Sequence, residues 1–213
     1  MRKAVGLSAV FVLCFILSSC IDIFQHLTKD TNGIDRNTIR VTVSKAVLEM
    51  ANNFSGSGAV DYEKFFDEND LDDMDINGYN QFGATIRKIN DSTDIGYLVE
   101  ISLNYKDKDI VNITNQSNAS FIPKYNGKNI ILPLDLESYA SFDNNAMAAA
   151  FLSTGKYRLA VNKKCISNIR KVTIKVKSKE TEISFLDLYD EYLIEVPLPV
   201  IMASAVELRI YSK

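Results

Sequence analysis

The sequence is short of the residues on which many enzyme sites depend. It has a single His, His26, and three Cys, at positions 14, 20 and 165, among 213 residues. A Ser/His/Asp or Cys/His catalytic site would therefore depend on His26 alone. No G-x-S-x-G, H-E-x-x-H, P-loop or G-x-G-x-x-G motif is present either. We therefore predict that this chain is not an enzyme.

Glycine, proline and basic charge are also scarce. Nine Gly and four Pro exclude a collagen-like or low-complexity chain. The 24 Lys and Arg are outnumbered by 27 Asp and Glu, which gives a net charge of −3. This balance argues against a nucleic-acid partner, for which a basic domain is expected. At 46% hydrophobic residues the chain can bury a core, so disorder throughout is excluded.

The N-terminus has the pattern of an export signal. Arg2 and Lys3 precede an apolar run over residues 4–17. This run is shorter than the roughly 20 apolar residues that a membrane-spanning helix needs, so a signal peptide is the better interpretation. The run ends in Leu17-Ser18-Ser19-Cys20.

This tetrapeptide resembles the lipobox of bacterial lipoproteins, in which a branched apolar residue and two small residues precede a Cys. The resemblance implies that residues 1–19 are a signal peptide removed by signal peptidase II, and that Cys20 carries the lipid, with fatty acids such as palmitate as the membrane anchor. It also implies a place in the bacterial cell envelope. Ile21, rather than Asp, follows the Cys, which favours the outer membrane over the inner one. The globular domain would lie in the periplasm or at the cell surface.

The remainder divides into a tether and one domain. Residues 20–36 hold the lipidated Cys, His26 and Asn32-Gly33, and are predicted to form a polar tether. Residues 37–213 are predicted to form a single β-rich globular domain, because about 190 mature residues suit one domain or at most two small ones. Cys165 is then alone in that domain, and we predict a thiol at a strand end or turn rather than a nucleophile.

The spacing of apolar residues predicts an α+β fold that is predominantly β. Spacings of three and four from Thr38 to Phe54 predict an N-terminal helix, although the β-branched run from Ile39 to Val43 would also suit a strand. From residue 83 onward the apolar residues alternate, with a hairpin-type turn at Asn126-Gly127. The fold predicted is an antiparallel β-sandwich or open barrel with one N-terminal helix and one inserted helix, at 136–152. Strands are predicted at 84–89, 95–105, 110–114, 121–122, 130–132, 157–161, 169–176, 182–186, 192–196 and 205–211.

An acidic segment contains the first half of a calcium-binding loop. The run Asp73-Met74-Asp75-Ile76-Asn77-Gly78 matches D-x-D-x-N-G, which presents oxygen ligands at alternate positions. The twelfth position, where an EF-hand has Glu, is Ala84, so an intact EF-hand is not expected. Calcium is the one cofactor suggested, with Asp73, Asp75 and Asn77 as ligands of a looser site. The alternative is a solvated acidic loop.

A basic segment follows later in the chain, where seven Lys and Arg occur between positions 163 and 179 without an acidic residue. Alternation along the predicted strand puts Lys171, Lys175 and Lys177 on one face. Such a face predicts contact with an anionic lipid, a glycan or an acidic protein. The alternative is an exposed sheet face on which lysine prevents edge pairing.

Taken together, the motifs predict a lipid-anchored envelope lipoprotein that acts as a binding or structural interaction module. Its expected partners are the membrane, through the N-terminal lipid, and an envelope protein or glycan. Two alternatives stay open. One is a lipid or small-ligand carrier with an apolar cavity, and the other is a carboxylate-dependent hydrolase.

Overall fold

The described part of the chain folds into two β-sheets that pack face to face. The computed structural model describes residues 21–49, 76–117, 119–135, 153–202 and 204–213, with the backbone alone for residues 76–78. The strands in these ranges are β1 (Ile21–Lys29), β2 (Asp35–Ser44), β3 (Thr85–Asn90), β4 (Asp94–Leu103), β5 (Lys124–Asn126), β6 (Asn129–Leu134), β7 (Lys156–Asn162), β8 (Ile169–Val176), β9 (Lys179–Ile183), β10 (Phe185–Asp187), β11 (Glu191–Pro197) and β12 (Val206–Ser212).

Helices in the described ranges are few. They are α1 (Lys108–Gln116), α2 (Leu198–Met202) and a 3-10 helix (Ile76–Phe82), and residues 45–49 and 153–154 are also helical. The larger sheet has the order β10-β11-β7-β1-β2-β4-β3, and the smaller one β5-β6-β12-β8-β9. The predicted α+β, predominantly β sandwich is therefore confirmed.

The tether predicted from Ile21 to Arg36 is wrong. Residues 21–29 form β1, which pairs with β2 on one side and with β7 on the other, so the segment lies in the middle of the larger sheet. Asp30 closes the β1–β2 hairpin, because its carboxylate accepts from the Asn32 and Ile34 backbone N–H groups at 2.8 and 3.0 Å. Gly33 takes the positive φ of 81° that the turn requires.

The N-terminal helix predicted from Thr38 is also wrong over its first seven residues. These residues belong to β2, and helix is present only at 45–49. The alternative strand from Ile39 to Val43 is confirmed, because β4 supplies a ladder partner for every residue from Asp35 to Ser44. Residues 50–54, and the inserted helix predicted at 136–152, lie outside the described residues.

A third correction concerns the strand predicted at 110–114, which is the helix α1. Asp107 caps its N-terminus by accepting from the Asp109 backbone N–H at 2.9 Å. Helical spacing turns Ile110, Ile113 and Thr114 towards the core. The β-branched content of this segment suits a strand, but the cap and the packing of one face favour the helix.

The sheets were predicted to be antiparallel, and one pair of strands departs from this prediction. Strands β1 and β7 run parallel. The short strand predicted at 121–122 is instead a buried turn, in which Phe121 has a φ of 62°. The strands predicted at 84–89, 95–105, 130–132, 157–161, 169–176, 192–196 and 205–211 are confirmed, with small shifts at their ends. The strand predicted at 182–186 is divided between β9 and β10.

The core lies between the two inner faces. Alternate residues of β6, β8 and β12 meet alternate residues of β1, β2, β4, β7 and β11, and most of these apolar side chains are almost fully buried. Burial of this apolar surface is the main stabilising contribution.

A buried polar network crosses this core. The Tyr157 hydroxyl donates to Gln25 Oε1 at 2.6 Å, and Gln25 Nε2 donates to Asn37 Oδ1 at 2.7 Å and to the Phe121 carbonyl at 2.8 Å. Asn37 Nδ2 donates to the same carbonyl at 2.8 Å. Tyr157, Gln25 and Asn37 are each fully buried. The network therefore ties β1, β2 and β7 to the turn at Phe121.

Candidate functional site

Charged residues lie in register on the outer face of the smaller sheet. On β12, Glu207 lies opposite Lys175 of β8, which in turn lies opposite Glu180 of β9. In the next row, Arg209 of β12 lies opposite Thr173 of β8. Cross-strand neighbours of this kind are close enough for their side chains to interact. The basic face predicted from the sequence is therefore a mixed one, with acidic residues contributed by β9 and β12.

Arg209 occupies the centre of this face. Its Nε and one terminal nitrogen donate to Glu207 Oε2 at 3.0 and 2.5 Å, and its other terminal nitrogen lies 3.9 Å from Glu180. These hydrogen bonds from Arg209 to Glu207 raise the pKa of the guanidinium. Glu207 is therefore neutralised mainly by Arg209.

Glu180 is held by hydroxyl groups. Its Oε1 accepts from Thr173 Oγ1 at 2.6 Å and from the Tyr211 hydroxyl at 2.8 Å. The Thr173 hydrogen bond is the larger cause of a lowered pKa at Glu180, followed by that of Tyr211. A hydrogen bond to the ionised form favours that form.

Beside this network the sheet surface forms a cleft of about 350 Å³. Three lysines and two acidic residues supply its charged groups, and we call it the basic cleft; these residues are Lys124, Lys175, Lys177, Asp135 and Glu207. Apolar residues, among them the half-buried Ile131 and Pro133 of β6, form the rest of the wall. The cleft can thus present ammonium groups and a hydrocarbon surface to one ligand.

The lysines of the basic cleft differ in how they are paired. Lys175 Nζ lies 3.8 Å from Glu207 Oε2, which is longer than a hydrogen bond. Within the described part of the chain, neither Lys124 nor Lys177 has a carboxylate within ion-pair distance. An anion entering the cleft would therefore meet lysines whose charge is weakly compensated.

Lys171, the third lysine of the predicted anionic contact, lies apart from the cleft. Its ammonium sits 4.7 Å above the Tyr211 ring centroid and it precedes Lys175 on β8 by four residues, roughly 13 Å of strand. The structure therefore brings Lys175 and Lys177 together in one depression and leaves Lys171 out of it. Lys177 is in the turn after β8, with a φ of 54°.

The basic cleft lies at the end of the sandwich where the described chain begins. The Leu198 N–H donates to the Gly155 carbonyl at 3.0 Å, and a Cβ on Gly155 would lie 3.2 Å from the Ile21 carbonyl oxygen. The short helix α2 then leads from Leu198 to the start of β12, where Val206 pairs with Val176 of β8. We call this the Ile21 end. Lys177 follows Val176 directly, so it too lies at the Ile21 end.

The side chains predicted as calcium ligands lie outside the described part of the chain. Asp73 and Asp75 lie outside the described residues, and Asn77 is described for its backbone alone, within the 3-10 helix. Among described residues, no three His, Cys, Asp or Glu side chains lie close enough to share a metal ion. The calcium site stays a prediction.

His26 was expected in a tether, but it lies on the outer face of β1. Its Nε2 lies 2.6 Å from Glu191 Oε1 of β11. Cys165 lies in the turn after β7, where its backbone N–H donates to the Asn162 carbonyl at 2.8 Å. Burial raises the pKa of its thiol to about 12, with a further contribution from Asp35, so the reactive thiolate is disfavoured.

Lys124 was missed by the sequence reasoning. It precedes the Asn126-Gly127 turn and lies far along the chain from the basic segment at 163–179. Its place in the cleft depends on the register of β5, β6 and β12, in which Lys124 lies opposite Ile131 and Ile131 opposite Arg209. The turn of the β5–β6 hairpin could be predicted from the sequence, but the pairing of that hairpin with β12 could not.

Replacing Thr173 with valine should raise the pKa of Glu180 towards its ordinary value, because the variant lacks the hydroxyl that donates to the carboxylate. A carboxylate with a lowered pKa stabilises the fold above its unfolded pKa and loses that contribution as the pH falls through the folded value. Thr173→Val should therefore weaken stability at neutral pH, and the difference from the wild type should shrink in acid. Carboxyl carbon NMR titration measures the shift directly.

The matched control for this experiment is Thr181→Val, which removes the hydroxyl of the residue next to Glu180 on β9. Thr181 is exposed and lies opposite Ile174, so its loss should leave the pKa of Glu180 unchanged. An equal shift in both variants, or none in Thr173→Val, would contradict the assigned hydrogen bond.

None of the helices in the described ranges has the length and apolar character needed to cross a bilayer. No protein-family model and no curated protein matches this sequence. Among solved structures, the chain is similar to the folded domain of the LppM protein of Mycobacterium tuberculosis, determined by NMR, with 10% sequence identity over 91% of each chain and a TM-score of 0.38. A score this low transfers neither fold nor function.

Proposed function

We propose that this chain is a lipid-anchored envelope lipoprotein whose sandwich acts as a binding module at the membrane surface. The observation that carries the proposal is that Ile21, the residue after the Cys20 that the lipobox-like sequence marks for lipidation, already lies in the central strand β1. A thioether-linked diacylglycerol at Cys20, with a further acyl chain on its amine, would give a stable anchor, since each buried CH₂ contributes about 0.8 kcal/mol.

This arrangement limits how far the domain can move from the bilayer. A flexible tether would let the domain turn freely, whereas a central strand that includes the residue after the anchor would hold the Ile21 end near the lipid. The strand of nine residues then spans roughly 30 Å away from that end. The molecule therefore has one end suited to contact the membrane and another suited to face the aqueous compartment.

Binding, rather than catalysis, is what the charged groups of the basic cleft support. A hydrolase that works through carboxylates needs them free to act as acid, base or nucleophile. In the cleft, Glu207 accepts two hydrogen bonds from Arg209 and lies near Lys175. The module would use this face to hold an anionic component of the envelope.

The lipid anchor is tested with Cys20→Ser in the full chain, expressed in a bacterium that lipidates its own exported proteins. We expect the wild type to incorporate labelled palmitate and to enter the detergent phase on Triton X-114 partition, and the variant to do neither. The matched control is Cys165→Ser, which removes the other mature thiol and should leave both properties unchanged. Labelling retained in Cys20→Ser, or an intact mass that includes an unmodified Met1, would contradict the proposal.

A further inference from the structure

We propose that the basic cleft binds the phosphate of an anionic membrane lipid in the same bilayer that holds the anchor. The inference rests on the proposed lipid anchor and adds a ligand class and a site to it. Three features of the cleft carry the argument, namely its charge, its apolar wall and its position.

The charge of the cleft suits a phosphate. Its three lysines outnumber its two acidic residues, Asp135 and Glu207, and Glu207 is already neutralised by Arg209. The ammonium groups supplied by β5, by β8 and by the turn after β8 line one depression, and each can donate hydrogen bonds to phosphate oxygens. A ligand with a single negative charge and several acceptor oxygens therefore fits better than a neutral one.

The wall of the cleft suits the part of a lipid next to its phosphate. Ile131 and Pro133 are half-buried and line the same depression as the lysines. A glycerol backbone and the first methylenes of an acyl chain would remove these side chains from water. A free inorganic phosphate would leave this wall unused.

The position of the cleft favours a membrane lipid as the ligand over a molecule dissolved in the bulk solvent. Val206 and Lys177 place the cleft at the Ile21 end, the end that the anchor would hold against the headgroups. Lys171 lies farther from the Ile21 end, four residues before Lys175 on β8, and its ammonium contacts the Tyr211 ring. Of the lysines on β8 and in the turn after it, those at the Ile21 end are thus the ones with weakly compensated charge.

The experiment measures the rate at which individual lysines are acetylated in the full, acylated chain. The protein is inserted through its own anchor into vesicles of phosphatidylcholine with or without phosphatidylglycerol, pulsed with acetic anhydride and analysed by peptide mass spectrometry. We expect Lys175 and Lys177 to react about fivefold more slowly when phosphatidylglycerol is present, the protection that one net hydrogen bond from each ammonium to the bound phosphate would give.

Two lysines of the same chain serve as internal controls. Lys156 begins β7 at the Ile21 end but lies on the outer face of the other sheet, where it pairs with Glu195 at 3.5 Å. Lys171 lies on the same strand as Lys175 but outside the cleft. Neither should change its rate between the two kinds of vesicle. A Lys177→Gln variant should weaken the protection of Lys175, and Lys171→Gln should not.

The outcomes separate the inference from the proposed function. Equal rates for Lys175 and Lys177 in both vesicles would overturn it, as would slowing of Lys156 to the same degree, which would indicate general attraction to an anionic surface. Equal protection by inorganic phosphate in detergent micelles would identify a free-phosphate site instead. Acylated protein with unprotected lysines contradicts the inference alone, whereas an intact mass without acyl chains contradicts the lipid anchor and the inference with it.

Discussion

Replacing Gly96 with alanine should destabilise the protein by about 3 kcal/mol or more, because the added methyl group has no space. A Cβ at Gly96 would lie 2.0 Å from the Val41 carbonyl oxygen and 2.9 Å from the Thr42 Cα, both of which are backbone atoms of the paired strand β2. Backbone in the middle of a sheet cannot move without breaking the ladder hydrogen bonds of its neighbours. Urea unfolding of the wild type and of Gly96→Ala measures the loss.

The matched control is Gly127→Ala in the β5–β6 turn. There the backbone φ is 61° and no atom beyond the two neighbouring residues of the chain lies within 4 Å of the added Cβ. The cost is then the left-handed conformation alone, about 1 kcal/mol. If Gly96→Ala costs no more than Gly127→Ala, the close approach of β4 to β2 is contradicted.

Replacing Gln25 with leucine should also be strongly destabilising, although leucine has a similar size and is apolar. The change removes the acceptor of the Tyr157 hydroxyl and the donor to Asn37 Oδ1, and both of these groups are fully buried. Each buried polar group left without its partner costs about 1–3 kcal/mol, so a loss of about 3 kcal/mol is expected. Denaturant unfolding measures it.

A double-mutant cycle with Tyr157→Phe tests the assigned contact. In the wild type, Tyr157→Phe leaves Gln25 Oε1 without its donor and should destabilise. In the Gln25→Leu background the hydroxyl has already lost its acceptor, so its removal should cost little or restore some stability. Additive losses from the two substitutions would mean that the two side chains do not interact.

Alternation of apolar and polar residues was sufficient to locate most strands. In β4 and β12 one face is buried and the other is solvated. Because successive side chains of a strand point to opposite faces, apolar and polar residues alternate in the sequence. The segment at 110–114 shows the limit of this signal. Its β-branched residues suit a strand, and the cap at Asp107 was the better guide to helix α1.

The strand β1 was missed because its inward face includes a polar residue. Gln25 interrupts the apolar series of Ile23 and Leu27, and its burial is stabilised only by partners that lie 12, 96 and 132 residues away. The local signal that could have revealed the strand was Asn32-Gly33, a hairpin-type pair between two stretches with alternate apolar residues. A polar residue on a buried face hides a strand whenever its hydrogen-bond partners come from distant segments.

The amino-acid sequence by itself predicts a signal peptide with a lipobox-like end, and it determined the β-rich class and the basic character of the strand at 169–176, because each depends on composition or on short spacing. Only the tertiary structure decided that β1 is a central strand, that Lys171 is separate from Lys175 and Lys177, and that Lys124 joins them. Those features depend on which strands lie side by side and in what register. Register is set by packing of the whole core, so no local stretch of sequence contains it.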